Sequence, residues 1–256
     1  MKILIADSGS TKTSWCLVDK AKGQPTIAEP VQTQGLNPLY ASEEEIVEAV
    51  RKVVEATDER YPDLVQFYGA GCSGDRIQKV EKALRKVFTP MTKVEVASDL
   101  LAACRALGPG IDCIMGTGAI AARYDETGEM TAASSLGYIL GDEGSGSWLG
   151  RHVLSDYLKD QMPAKVRAAF EEDYGPITAE SAIQRVYQQP FPNRYLATFA
   201  AFVGRHMDFS YCQKLAYDGV ESFFKRNVLR LNPAPGEVVN FVGSVAYNLQ
   251  STLETV

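Results

Sequence analysis

Five short stretches of this chain carry residue types that could handle phosphate, a proton and hydroxyl groups. The first is DSGSTKT, residues 7–13, at the end of an apolar run. Gly9 lets the backbone approach a ligand, Ser10 and Thr11 add hydroxyl donors, and successive N–H groups in such a turn form an anion nest. Lys12 adds a positive charge, and Asp7 is placed to hold magnesium through water. The same residue types also favour a plain hairpin, and the stretch is neither a P-loop nor a GxGxxG fingerprint. The second stretch, Gly116-Thr117-Gly118, occupies the same position later in the chain. Each turn alone reads as a hairpin; the pair reads as two holds on a polyphosphate. The third is Asp99, which ends an apolar strand and begins an apolar helix, and so belongs at the carboxyl edge of a sheet where ligands gather. It can cap that helix or act as general base toward a substrate hydroxyl. The fourth, GDEGS at 141–145, sets two carboxylates before a helix, either as charges matched to the helix dipole or as acceptors for sugar hydroxyls. The fifth, Gly243-Ser244, is a tight strand-to-helix turn against which an adenine could lie.

These residues need elements to position them. Residues 2–6 and 13–18 read as two buried strands around the first turn, and a third strand is expected over 26–33. A helix follows, opened by Ser42 with Glu45 three residues on as a capping box, and with Ile46, Val47, Val50, Val53 and Val54 on one apolar face. Residues 64–71 read as a strand running into glycine, 75–88 as an amphipathic helix, 93–99 as a strand and 100–107 as an apolar helix. Strands alternating with helices imply a largely parallel sheet covered by helices. LGPG, residues 107–110, marks a boundary between a lobe at 1–108 and a lobe at 109–256. The strand–turn–strand opening then restarts at IDCIMGTGAIAARY. After GDEGSGSWLG the chain reads as mostly helical to about residue 230, and residues 238–249 as a final strand, a Gly-Ser turn and a helix. His152 and His206 lie in amphipathic helical contexts and read as structural.

The 256 residues, 45% hydrophobic and 23% charged, suffice for real cores. A formal net charge of −6 argues against nucleic acid or an anionic membrane surface as partner. The five cysteines form no CxxC pair and read as reduced thiols of a cytoplasmic protein. The N-terminal apolar stretch is too short for a signal peptide, and no stretch reaches the length of a membrane span.

Taken in order, DSGSTKTSWCLVD, ASDLLAA, GTGAIA, GYILGDEGSGSWLG and FVGSVA resemble the sugar-kinase branch of the actin, Hsp70 and hexokinase superfamily. Within that branch the chain is most similar to the N-acetylglucosamine kinases and the BadF/BadG/BcrA/BcrD ATPase family. The resemblance implies an α/β, two-lobed actin-like ATPase (ribonuclease H-like) fold, each lobe a mixed sheet covered by helices, with ATP and sugar in a central cleft. It implies ATP-dependent phosphorylation of an amino sugar, N-acetylglucosamine or a related N-acetylhexosamine, at the C6 hydroxyl, with Asp99 as base. Gly9, Ser10, Thr11, Lys12, Gly116, Thr117 and Gly118 would hold phosphates, and Gly243 and Ser244 the nucleotide. Asn37, Ser73, Gly74 and Asp142 would meet the sugar, and Asp7 would position Mg2+ through water. A homodimer is the implied assembly. A nucleotide or sugar sensor without turnover, or an activator-type ATPase carrying an iron–sulfur cluster, are the alternative readings. The chain departs from the animal kinases at Leu136, where they carry tryptophan, and at Ala119-Ile120, where they carry Ser-Asn. The family pattern also continues past the adenosine motif with a glycine turn and a helix, which implies a short member or a segment beyond Val256.

Overall fold

The alternation of strand and helix periods resolves into two separate sheets in the computed structural model, which describes residues 1–20 and 25–256. Each sheet belongs to its own unit, Met1–Arg105 or Ala106–Val256, with its own apolar core.

In the first unit β1 (Lys2–Ser8) pairs antiparallel with β2 (Lys12–Asp19), which also pairs with β3 (Thr26–Ile27) and β4 (Val31–Gln34). The single strand expected over 26–33 is thus two short ones, separated by a segment containing Pro30, which has no N–H to give to a ladder. Next come α1 (Glu43–Thr57), β5 (Leu64–Gly69), α2 (Asp75–Arg85), β6 (Lys93–Ser98) and α3 (Asp99–Leu107). β1, β5 and β6 run parallel side by side. The capping box forms as expected: Ser42 Oγ accepts the Glu45 N–H at 3.1 Å, and the Glu45 carboxylate accepts the Ser42 N–H at 2.6 Å. The apolar stripes of α1 (Ile46, Val50, Val53) and α2 (Val80, Ala83, Leu84) close over Leu4, Trp15, Val65 and Phe67 to make the core. Burying one such side chain fully contributes about 1.5–3 kcal/mol.

The second unit restarts the pattern. β7 (Gly110–Met115) pairs antiparallel with β8 (Ala119–Tyr124), which pairs with β9 (Met130–Ala132). Helices follow: α4 (Gly137–Leu140), α5 (Gly146–Leu158), α6 (Ala164–Tyr174), α7 (Ala179–Ile183), α8 (Pro192–Thr198), α9 (Ala200–Arg205) and α10 (Ser210–Phe223). π-helical turns at 184–188 and 224–228 extend α7 and α10. β10 (Val239–Val242) pairs parallel with β7, and α11 (Ser244–Asn248) and α12 (Gln250–Leu253) close the chain. In each unit, then, the first strand has an antiparallel hairpin partner on one side and a later, parallel strand on the other. The two hairpin turns are also alike in length, 9–11 and 116–118. This is the repeat that the sequence announces. Among the described residues no helix is long and apolar enough to cross a membrane.

Candidate functional site

In the first unit, register aligns Ser8, Gly69 and Ser98 across β1, β5 and β6. The carboxyl ends of the three parallel strands therefore lie level, and the chain segments leaving them share one edge. The turn at 9–11 is tight, with the Gly9 N–H donating to the Lys12 carbonyl at 3.0 Å. It is braced from outside: the Gly35 N–H donates to the Thr11 carbonyl at 2.9 Å. A Cβ on Gly35 would come within 2.6 Å of the Gly9 carbonyl oxygen, so only glycine lets this loop lie on the turn. Beneath the turn, the buried Ser8 and Thr13 hydroxyls pair at 2.8 Å, Thr13 donates to the Gln34 carbonyl at 2.9 Å, and Ser8 Oγ accepts the Leu36 N–H at 3.1 Å. The flanking hydroxyls hold the fold, while Thr11 and Lys12 are exposed and Ser10 is half-buried. Ser8→Ala leaves the buried Leu36 N–H without its acceptor, and should cost about 1–3 kcal/mol in urea unfolding. An unchanged midpoint would sink that role.

Asp99 is not the cap of α3. Ser98 Oγ accepts the Leu101 N–H at 3.2 Å and fills that position, while the Asp99 carboxyl accepts from the adjacent Leu100 N–H, at 2.9 Å, and from its own N–H. The half-buried Asp99 carboxyl is pushed up to about 6, chiefly by desolvation, opposed by the Leu100 N–H and reinforced by the negative charge of Asp7. Asp7 therefore lies near Asp99 at the same edge. Its residue is exposed, but its carboxyl is half-enclosed by neighbouring atoms, which raises its pKa against the pull of Lys12. Cys72, buried in the loop after β5, is a thiol pushed up to about 12 by desolvation and then by the Asp99 charge. Asn37 is buried, with Oδ1 accepting the Leu39 N–H at 2.9 Å. A Cβ on Gly71 would meet that Oδ1 at 2.3 Å, so the 71–74 loop lies directly on Asn37. The edge of the first sheet thus brings together Asp7, Gly9 to Lys12, Asn37, Ser73, Gly74 and Asp99.

The second unit gathers the remaining predicted residues. The Gly116 N–H donates to the Gly118 carbonyl at 2.9 Å, and the segment after GDEGS docks on that turn, Gly146 N–H to Gly116 O at 2.7 Å and Ser147 N–H to Thr117 O at 3.0 Å. Ser145 caps α5, its Oγ accepting the Trp148 N–H at 3.2 Å. Asp142 sits in the left-handed region at φ 55° and accepts the Ala119 N–H at 3.3 Å. A Cβ on Gly118 would meet the Asp142 carboxyl at 3.0 Å. Burial, with the Glu143 charge adding to it and the Ala119 N–H opposing, pushes Asp142 up to about 6. Glu143 points elsewhere, to Arg226 at 3.2 Å and Asn227 at 3.4 Å. Gly243, at φ 112°, lies beneath the end of β7, where a Cβ would be 2.3 Å from the Met115 carbonyl oxygen. Ser244 and Asn248 line a cavity of about 310 Å³ with Ala197, Ala200, Ala201 and Gly204.

Sequence reasoning passed over Gly35, Gly71 and the Ser8–Thr13 pair. The isolated glycines in TQGLNP and GAGC were a usable signal for close backbone approach. The hydroxyl pair had none, because its partners lie far along the chain. Among the described residues no three His, Cys, Asp or Glu side chains converge as a metal cage.

Comparison with known proteins adds three findings. The family model for the BadF/BadG/BcrA/BcrD ATPase family matches residues 6–230. A solved Porphyromonas gingivalis protein, described as a candidate N-acetylglucosamine kinase, is 40% identical with a TM-score of 0.89, over 99% of this chain and 89% of that one. A Chromobacterium violaceum protein described in the same words (18% identity, TM-score 0.74, 98% and 90% covered) and a Balamuthia mandrillaris glucokinase solved with glucose (12%, 0.56, 99% and 83%) share the fold. No curated protein sequence matches the chain.

Proposed function

The chain belongs to the BadF/BadG/BcrA/BcrD ATPase family and has the actin-like ATPase fold, and from that premise we propose that it is an ATP-dependent kinase of an N-acetylhexosamine such as N-acetylglucosamine, acting at the C6 hydroxyl. The observation that carries the reading is Asp99: a half-buried carboxyl, uncommitted to capping, at the strand edge that also presents the Gly9–Lys12 turn. Its proximity in sequence space to a 40% identical candidate N-acetylglucosamine kinase supports the choice of acceptor class.

Asp99 takes the proton of the acceptor hydroxyl as that oxygen bonds to the γ-phosphorus and the bond to the β-phosphate oxygen breaks, leaving ADP and a sugar phosphate. Phosphoryl transfer needs positioning and charge neutralisation more than covalent chemistry. Gly9 to Lys12 and Gly116 to Gly118 supply backbone N–H groups, hydroxyls and one ammonium to phosphate oxygens. Gly243 and Ser244 meet the nucleoside, with the cavity beside Ser244, lined by alanines and leucines and by Arg205 and Asn248, offering room for a base. Asn37, Ser73, Gly74 and Asp142 hydrogen-bond sugar hydroxyls. Magnesium keeps most of its waters and asks for one or two carboxylates, a demand Asp7 fits; bound there, it would neutralise charge on the phosphates.

Purified protein should form ADP from ATP only when a suitable sugar is present, as a coupled ADP assay over a sugar panel would show. ATP turnover indifferent to every sugar would refute the reading, and nucleotide binding without turnover would favour a sensor. Because a base must be deprotonated to work, kcat/KM for the sugar should rise with pH through about 6 and then level. A profile flat from pH 5 to 8 would remove Asp99 from that role.

A further inference from the structure

We propose that Arg76 and Lys79, about one turn apart on α2, are positioning residues that lock the loops carrying Asn37 and Ser73 into one arrangement for the acceptor sugar. This rests on the reading that those loops bind the acceptor. The Arg76 guanidinium reaches back from the first turn of α2 and uses two different nitrogens: Nε donates to the Gly71 carbonyl at 2.9 Å and a terminal nitrogen donates to Ser73 Oγ at 2.6 Å. Lys79 Nζ donates to the Pro38 carbonyl at 3.0 Å, in the residue after Asn37. One helix thus grips both loops.

The loops are in turn stacked on each other. Gly71, at φ 78°, lies so close to Asn37 that a Cβ would meet its Oδ1 at 2.3 Å. Asn37 is itself fixed by its own turn, its carbonyl accepting the Tyr40 and Ala41 N–H groups at 3.0 and 2.9 Å. Gly74 begins α2 with no side-chain cap, so the loop is tied to the helix start by main-chain bonds alone, Arg76 N–H to Ser73 O and Ile77 N–H to Gly74 O, each at 3.2 Å. The guanidinium adds the side-chain tie, reaching Gly71 and Ser73 together, and its planar fork fixes the rotation of the 71–74 loop as well as its distance. A lysine at 76 would carry the charge without the fork. At 79 a single bond to a carbonyl is all that is made, so an arginine there can replace lysine. Small displacements of a positioning group have large effects on a reaction, and here they fall on the acceptor side alone.

The test is steady-state kinetics of Arg76→Met, Arg76→Lys, Lys79→Met and Lys79→Arg, using the best sugar of the wild-type panel, with amide exchange of peptides covering 36–41 and 70–76. Arg76→Met should raise the KM for sugar roughly tenfold, as loss of a charge-assisted bond predicts, with kcat and the KM for ATP nearly unchanged. Lys79→Met should move in the same direction. Arg76→Lys should resemble Arg76→Met, whereas Lys79→Arg should resemble wild type. Exchange should quicken in both loops while the melting temperature stays within about 2 °C, as expected of surface side chains. An unchanged sugar KM in Arg76→Met overturns the proposal, as does full recovery in Arg76→Lys or an equal rise in the KM for ATP. Wild-type protein inert on every sugar would defeat the acceptor reading and this inference with it. Active wild type with an indifferent Arg76→Met defeats this inference alone.

Discussion

Asp99→Asn should abolish sugar phosphorylation and at the same time make the protein more stable at neutral pH. A general base contributes on the order of 10²- to 10⁴-fold to rate, and asparagine cannot take the proton. The stability gain follows from the raised pKa. A carboxyl that titrates at about 6 when folded and near 3.9 when unfolded holds its proton more tightly in the native state. Its charge therefore costs nothing below about pH 4, progressively more as pH rises to 6, and a constant amount above that. Two pKa units correspond to about 2.7 kcal/mol, and partial solvent access reduces the expected gain to about 1–2 kcal/mol. Asparagine keeps an oxygen for the Leu100 N–H and removes the charge that Asp7 opposes. Urea denaturation at pH 7.5 and pH 4 checks it: the variant should lead at the higher pH and lose its lead at the lower. A variant that phosphorylates normally removes the base assignment. A variant that is less stable at pH 7.5 removes the desolvation argument.

The second large effect separates two glycines of the second unit. Gly243→Ala should destabilise the protein by roughly 3–5 kcal/mol, within the range of severe point mutations. Its φ of 112° is a region L-residues rarely adopt, and the new Cβ would press on the Met115 carbonyl oxygen at 2.3 Å, on the backbone of a fully buried residue in the middle of the sheet. Gly116→Ala should leave the unfolding midpoint nearly unchanged, since its Cβ would enter open space with nothing within 4 Å. In the proposed function that space is where phosphate oxygens lie, so nucleotide affinity should fall by about one to two orders of magnitude, the loss of one or two phosphate bonds. Calorimetric titration with ATP or ADP, beside thermal melts of both variants, reads the two effects separately. Unaltered nucleotide affinity in Gly116→Ala would release that turn from phosphate binding, and a Gly243→Ala protein as stable as wild type would mean that the sheet can yield at Met115.

Much of this molecule is written locally in its chain. Alternating apolar runs set the two opening hairpins, the Ser42–Glu45 box starts α1, and Asp99 at the end of a strand must emerge at a sheet edge whatever packs around it. Ordered motifs also carried the family, because each is a few contiguous residues whose spacing survives in the sequence. Local signals could not assign partners. Ser98 rather than Asp99 caps α3 because the backbone geometry at the strand end aims Ser98 Oγ at Leu101, and two adjacent hydroxyl and carboxyl side chains cannot be ranked by type alone. The docking of Gly146 and Ser147 on the Gly116 turn, Gly243 under Met115, and Gly71 against Asn37 each join residues about thirty to well over a hundred positions apart. Such contacts depend on strand order and register, which the whole sheet settles cooperatively, and a period of two or 3.6 residues holds no record of them. The sequence by itself determined the turns and the carboxylate; tertiary structure decided which loops press on them and which side chains remain available for chemistry.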